Sequence, residues 1–248
     1  MKAIYILWLR QFKRYLRSKS RIVGSLGQPL LFLLALGYGL GPVFQKAGQG
    51  NYLNFLTPGV ITMSVLFTSI FTGIEIIWDR QFGFLKETLV APVSRLQIMI
   101  GRTLGGATVA TIQGVIVFVI ALFAGFRPAN WSTVPFGLIV VILISILFTS
   151  LGTAIASMLD DMQGFQLIMN FLVMPLFFLS GAIFPIRGLP KVLSYIVRAN
   201  PMSYGVDALR GYLAHSNQFA ISVDLAVLSI IGVVLVALGA YLFSKIQI

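Results

Sequence analysis

Six stretches of about 20 apolar residues punctuate the chain, at about 22–41, 55–77, 101–124, 134–157, 165–184 and 220–243. Each has the length of a helix that crosses a hydrocarbon core of about 30 Å. In lipid there is no water to satisfy backbone N–H and C=O groups, so such a stretch must bond to itself as a helix. The charge content closes off the soluble alternative: 58% of residues are hydrophobic and 10% charged, against about 25% charged in a soluble domain. The sequence therefore predicts an all-α integral membrane protein, six transmembrane helices in one domain over 1–248.

The charges also give an orientation. Seven basic residues precede the first span (Lys2, Arg10, Lys13, Arg14, Arg17, Lys19 and Arg21), and a segment this long and basic reads as retained rather than as a cleaved signal. Arg80, Lys86, Arg95, Arg102 and Lys245 fall on the same side, which makes twelve. Lys46, Arg127, Arg187, Lys191, Arg198 and Arg210 make six on the other. Positive-inside bias places both termini in the cytoplasm of a multi-pass protein of the cell (plasma or inner) membrane, with the basic 185–219 segment voting against. The net charge of +11 is thereby explained by orientation and anionic membrane lipid, so no nucleic acid is expected as a partner.

Three segments are not spans. Residues 2–17 form an amphipathic helix: Ile4, Trp8, Phe12, Tyr15 and Leu16 share an arc of roughly 120° and the basic residues take the other side. A basic helix with aromatics reads as lying in the inner interface. Residues 78–97 are polar, and Asp79 to Val90 predict a short helix ended by Pro92, with Phe82, Leu85 and Leu89 as its apolar edge and Arg80, Lys86 and Glu87 as solvated charge. Residues 185–219 are too polar to cross; Pro185, Pro190 and Pro201 divide them into two pieces of re-entrant or interfacial length.

Catalytic motifs are absent. There is no cysteine, no G-x-x-x-x-G-K-[ST] phosphate loop and one histidine, His215, so neither thiolate chemistry, nor nucleotide binding of that type, nor a two-histidine metal site is expected. Gly101 and Gly105, like Gly37 and Gly41, read as small-residue pairs for close helix approach. Asp160 and Asp161 read as a solvated pair or a helix cap. Glu75 reads as a carboxylate inside a span near its cytoplasmic end, and with Gln28, Arg102, Gln113, Gln166 and Asn170 it supplies polar groups at or near membrane depth.

Two stretches carry a resemblance that covers essentially the whole chain. DRQFGFLKETLVAPVSRLQIMIGR at 79–102 ends in L-x-A-P-V-S-R, and FLSGAIFPIRGLPKVLSYIVRANPMSYGVDALR at 178–210 contains N-P-x-x-Y, Asn200 to Tyr204, followed six residues later by Arg210. Together they resemble the permease subunit of a type-2 ATP-binding-cassette (ABC) exporter, in its drug-resistance flavour, similar to the daunorubicin-exporter permeases. The resemblance implies that 79–90 is a coupling helix in which Asp79, Arg80, Phe82, Leu85, Lys86, Glu87 and Leu89 meet a separate cytoplasmic ATPase. It implies that 2–17 flanks that subunit, and that 186–214 closes the outer side with Asn200, Pro201, Tyr204 and Arg210 as an outer gate. Two ATPases and a second copy of the permease complete the complex as implied. The chain itself binds no cofactor, ATP and magnesium being held by the partner. Gln28, Gln166 and Asn170 are candidate lining residues of a path between the first, second and fifth spans of two copies.

The expected function is outward movement of an amphiphilic small molecule, drug or lipid-like cargo. Phenylalanine, 20 residues, dominates the aromatics and leans toward apolar cargo rather than the alternative of a polysaccharide or glycolipid. An ion-coupled secondary transporter or channel is the rival class; it needs intramembrane ionisable groups and usually an inverted repeat, and the sequence offers Glu75 and no evident repeat.

Overall fold

The computed structural model describes residues 2–46, 50–90, 92–186 and 188–245; Arg187 and the side chains of Lys86 and Leu89 lie outside what it describes. Among the described residues every regular element is a helix. They are α1 (Lys2–Arg17), α2 (Lys19–Leu31), α3 (Gly37–Lys46), α4 (Tyr52–Phe71), α5 (Ile74–Gln81), α6 (Phe84–Val90), α7 (Arg95–Phe123), α8 (Val134–Ser157), α9 (Met162–Phe178), α10 (Lys191–Ala199), α11 (Pro201–Ala214) and α12 (Ile221–Ser244). A π-helical turn, Phe32–Leu36, joins α2 to α3, and a 3-10 turn, Trp131–Thr133, precedes α8.

Among the described residues five helical stretches are long and apolar enough to cross a membrane: Lys19–Lys46, Tyr52–Gln81, Arg95–Phe123, Trp131–Ser157 and Ile221–Ser244. The remaining expected span, at 165–184, is the apolar 17-residue α9, about 25 Å long. It stops at Phe178, and the chain then turns through Gly181 at φ 75°. The first span begins three residues earlier than the hydropathy suggests and is not straight. Pro29 within α2 lacks an N–H donor and crowds the preceding turn, and the wide turn follows at once, as insertions into a helical ladder do at such places.

The second span is the axis of the molecule. α4 packs against α2, α3, α7, α8, α9 and α11, and two of its hydroxyls bond within its own ladder, Thr57 donating to the Leu53 carbonyl at 2.7 Å and Thr62 to that of Pro58 at 2.8 Å. At its C-terminal end the chain kinks through Thr72 and Gly73 into α5. There α8 crosses backbone on backbone: a Cβ on Gly73 would strike the Gly152 carbonyl, and one on Gly152 would strike the Ile70 main chain. Gly152→Ala is expected to lower stability by about 1–3 kcal/mol, the range for overpacking. Gly232→Ala on α12, whose nearest neighbour is the Leu147 Cβ at 4.0 Å, is expected to leave the melting temperature in detergent unchanged.

α1 packs along α7 rather than standing apart from the spans. Leu7 and Ile4 lie over Gly101, and Gln11 over Gly105, so this pair of glycines provides the close approach expected of it. Trp8 donates to Thr108 at 2.9 Å and Tyr15 to the Gln113 Oε1 at 3.0 Å. The contact thus runs from Gly101 to Gln113, about 18 Å of helix, and leaves Tyr5, Ile6 and Leu16 exposed. The other small pair divides: Gly37 lies under Leu53, while Gly41 has no neighbour within 4 Å.

Candidate functional site

The corner between the second and third spans differs from the expected single helix over 79–90. The helix breaks at Phe82 and Gly83, because Gly83 takes φ +81°, the left-handed cap that ends helices and favours glycine. Asp79 and Arg80 therefore belong to the last turns of α5, and only α6, seven residues long, projects.

This sorts the seven residues assigned to an ATPase contact. Phe82 is 70% exposed, and Glu87 is exposed beside Phe84 and Val90. Asp79 at 4% and Leu85 at 2% are buried, so neither offers surface to another subunit; their assignment as contact residues is corrected to an internal one. Arg80 also turns inward. Its guanidinium donates to the Leu159 carbonyl at 3.1 Å and pairs with Asp160 in the α8–α9 turn. Lys86 and Leu89 fall on side chains outside the described set.

What holds the corner is an ion-pair network that the sequence did not announce. Glu75 and Asp79, one turn apart, face the same way from α5. Asp79 accepts from Arg102 of α7 at 2.5 Å and from Arg10 of α1 at 3.0 Å. Glu75 accepts from Arg21 of α2 at 2.7 Å, and Arg14 stands 3.9 Å from both carboxylates. Arg102 and both acids are buried, so the charges compensate one another where water cannot. On the opposite side Arg80, with Gln81 donating to the Asp160 carbonyl at 3.2 Å, ties the same turn to α8 and α9. The base of α6 is thus fastened to α1, α2, α7 and the α8–α9 turn. The available signal was Arg102, a lone arginine at the head of an apolar run. Its partner Asp79 lies 23 residues away and Arg10 still further.

The polar residues proposed for a path do not converge within one chain. Gln28 lines a crevice of about 390 Å³ between α2 and α4, with Ser25, Ser64 and Thr68 as polar groups and Met63, Phe67 and Phe71 as apolar wall. Ser64 is buried with no hydrogen-bond partner for its hydroxyl. Gln166 and Asn170 instead occupy the exposed face of α9, beside Leu167 and Phe171, which are 72% and 84% exposed. Only the stripe Phe165, Met169, Val173 and Phe177 of that helix is buried.

The 185–219 segment forms two helices divided at Asn200–Pro201. Asn200 caps α11 by accepting from the Met202 N–H at 3.0 Å, and its amide donates to the Leu176 carbonyl of α9 at 2.7 Å. Pro201 sits in the first turn of α11, where its missing N–H costs nothing. Tyr204 donates to the Arg198 carbonyl at 2.7 Å and stacks on Phe219. Arg210 is 3% exposed, donates to the carbonyls of Phe55 and Gly181, and lies 3.9 Å from the Phe55 ring centroid. Asn200 and Arg210 latch α11 to α9, to α4 and to the turn after α9, while Tyr204 ties it to α10 and to Phe219. Arg210→Lys is expected to destabilise the chain by about 1–3 kcal/mol, because a lysine cannot reach both carbonyls and stack at once; thermal unfolding of the purified protein measures it.

Of the other polar candidates, Asp161 is the cap of α9, accepting from the Gln163 and Gly164 N–H groups at 3.1 and 2.6 Å. His215 ends α11 at φ 49°.

Comparison with known proteins adds two findings. The family model described as ABC-2 type transporter matches residues 2–214. Nodulation protein J of Rhizobium leguminosarum bv. trifolii is 28% identical over 207 residues, 82% of this chain and 78% of that protein. The transport permease ycf38 of Pyropia yezoensis is 31% identical over 202 residues, 78% of this chain and 68% of that one, and its namesake from Porphyra purpurea is 28% identical over 262 residues, 99% and 89%.

Proposed function

The chain belongs to the ABC-2 type transporter family, and from that membership we propose that it is the permease subunit of an exporter driven by a separate cytoplasmic ATPase. ABC-2 permeases work with such a partner, and hydrolysis takes place there rather than on the membrane chain. The reading extends to two ATPases, each holding its ATP and magnesium, and to a second copy of this permease. The termini lie in the cytoplasm of the plasma or inner membrane. The cargo is an amphiphilic small molecule, drug or lipid-like compound moved outward.

One observation carries the proposal: a corner that exposes Phe82, Phe84, Glu87 and Val90 stands on a base fastened by buried charge to four other parts of the bundle. A push on α6 reaches the spans because that base has no slack. Phe82 and Glu87 make the contact, with Lys86 and Leu89 beside them on α6. The crevice at Gln28 supports an amphiphile, since hydroxyl and amide groups share it with phenylalanine and methionine side chains. Gln166 and Asn170 line the path from the exposed face of α9, where a second copy supplies the opposite wall. Glu75 favours this class over ion coupling, because its carboxylate is already engaged by Arg21.

Reconstitution in vesicles with the ATPase decides between the classes. The expected result is no transport by the chain alone and ATP-dependent accumulation of a fluorescent amphiphile when the ATPase is present. Accumulation driven by an ion gradient without the ATPase overturns the proposal.

A further inference from the structure

α1 carries Arg10, Lys13, Arg14 and Arg17 at i, i+3, i+4 and i+7, one stripe of a helix. Opposite them stand Trp78 and Phe82, one turn apart at the end of the second span, and Phe84 at the start of α6. Between the two walls lies an open crevice of about 610 Å³, within the range of about 300–1,000 Å³ that small-ligand sites occupy. Its floor holds a single carboxylate, Asp79, whose two oxygens are already taken by Arg10 and Arg102. Arg14 lies 5.2 Å from the Trp78 ring centroid and Arg10 6.0 Å from that of Phe84. Arg10 gives one nitrogen to Asp79 and Arg14 stands 3.9 Å from the carboxylates, and a guanidinium with five N–H donors has others to offer. Lys13 and Arg17 have no carboxylate within salt-bridge distance among the described residues. On the α1 side of the corner, Arg10, Lys13, Arg14, Arg17, Arg21 and Arg102 gather near Glu75 and Asp79.

The geometry points to a site for the phosphodiester headgroup of an anionic phospholipid in the inner leaflet, held between α1 and the α5–α6 corner. Guanidinium groups supply the paired donors that phosphate oxygens accept. A tryptophan at a span end sits at headgroup level, and Tyr5, Ile6 and Leu16 of the same α1 are exposed there for the acyl region. Anionic lipid is enriched in the cytoplasmic leaflet, so the inference rests on the proposed orientation. Of the sources of phosphate, a lipid fits better than a free anion, because three of the eight lining residues are aromatic and a soluble phosphate has no use for them.

Of the three tryptophans, Trp8 and Trp131 are replaced (Trp8→Phe, Trp131→Phe) so that Trp78 alone reports. The full chain is reconstituted in phosphatidylcholine vesicles and titrated with phosphatidylglycerol carrying a nitroxide near its glycerol. Half-quenching of Trp78 is expected at a mole fraction about tenfold below that for phosphatidylcholine with the same label. In Lys13→Gln/Arg17→Gln it moves up about tenfold, as two interfacial charges weakened by screening predict. The titration is run without the ATPase, so a role of α1 beside that subunit does not enter the readout. Equal quenching by the two lipids, or no shift in the double variant, reduces the site to annular lipid and overturns it. Competition by millimolar inorganic phosphate makes it a soluble-anion site, and loss of quenching when the ATPase is added gives the crevice to the protein partner; either overturns it too. Orientation is read separately. The chain has no cysteine, so Lys2→Cys labelled from outside intact cells by an impermeant maleimide refutes the orientation, while the vesicle titration stands on its own.

Discussion

Asp79→Leu is expected to cost the folded chain about 3–5 kcal/mol, the range for removing one partner of a buried pair. The loss arises less from the missing attraction than from what remains. Arg102, 4% exposed, keeps its charge in a region from which water is excluded, and the neighbouring carboxylate of Glu75 on α5 is already engaged by Arg21. Arg10, whose side chain is 41% exposed, can turn to solvent and contributes far less. The test is a cycle. Asp79→Leu and Arg102→Leu alone should each lower the midpoint of thermal unfolding, and the double variant should recover most of the loss, since a buried ion pair replaced as a unit by apolar groups is close to neutral. If the double variant is as damaged as the sum of the singles, the pair is not what secures the corner.

Phe82→Ala/Glu87→Lys is expected to have the largest effect on activity while leaving the fold intact, because both side chains project from the corner and neither packs in the core. Truncating an aromatic anchor at an interface costs about 2 kcal/mol or more, about thirtyfold in affinity. Reversing the charge beside it adds repulsion to whatever basic group Glu87 meets. Transport by the reconstituted complex should fall at least tenfold, with unchanged expression and unchanged melting of the permease. Full transport by the double variant removes Phe82 and Glu87 from the ATPase contact.

Five of the expected spans were legible because hydropathy reports the solvent around a helix, and a bilayer demands the same apolar run wherever a span occurs. The division of 185–219 was legible because Pro190 and Pro201 each restrict the residue before them. The corner was legible only in part. Gly83 lies inside the stretch assigned to one helix, and its left-handed conformation was the overlooked break. Asp79 read as the start of a short helix over 79–90, yet its partner Arg10 is 69 positions away, and no local pattern reports a meeting at that distance. The same limit applies to Arg210. Its spacing from the N-P-x-x-Y stretch marked it as notable, but that it serves the carbonyls of Phe55 and Gly181 follows only from how α4 and α9 come together.

The contact between Gly73 and Gly152 has a mechanical meaning. Two main chains touching without intervening side chains have no rotamers to rearrange, and tightly packed contacts deform little. The second and fourth spans should accordingly travel as one stiff strut, and any alternation of access has to be accommodated elsewhere. The compliant members are those held least: the first span, interrupted by its wide turn at Phe32–Leu36, and α9, gripped along a single stripe. A molecule of this kind works like a hinged gate hung on a rigid post, in which two absent methyl groups decide which part is the post.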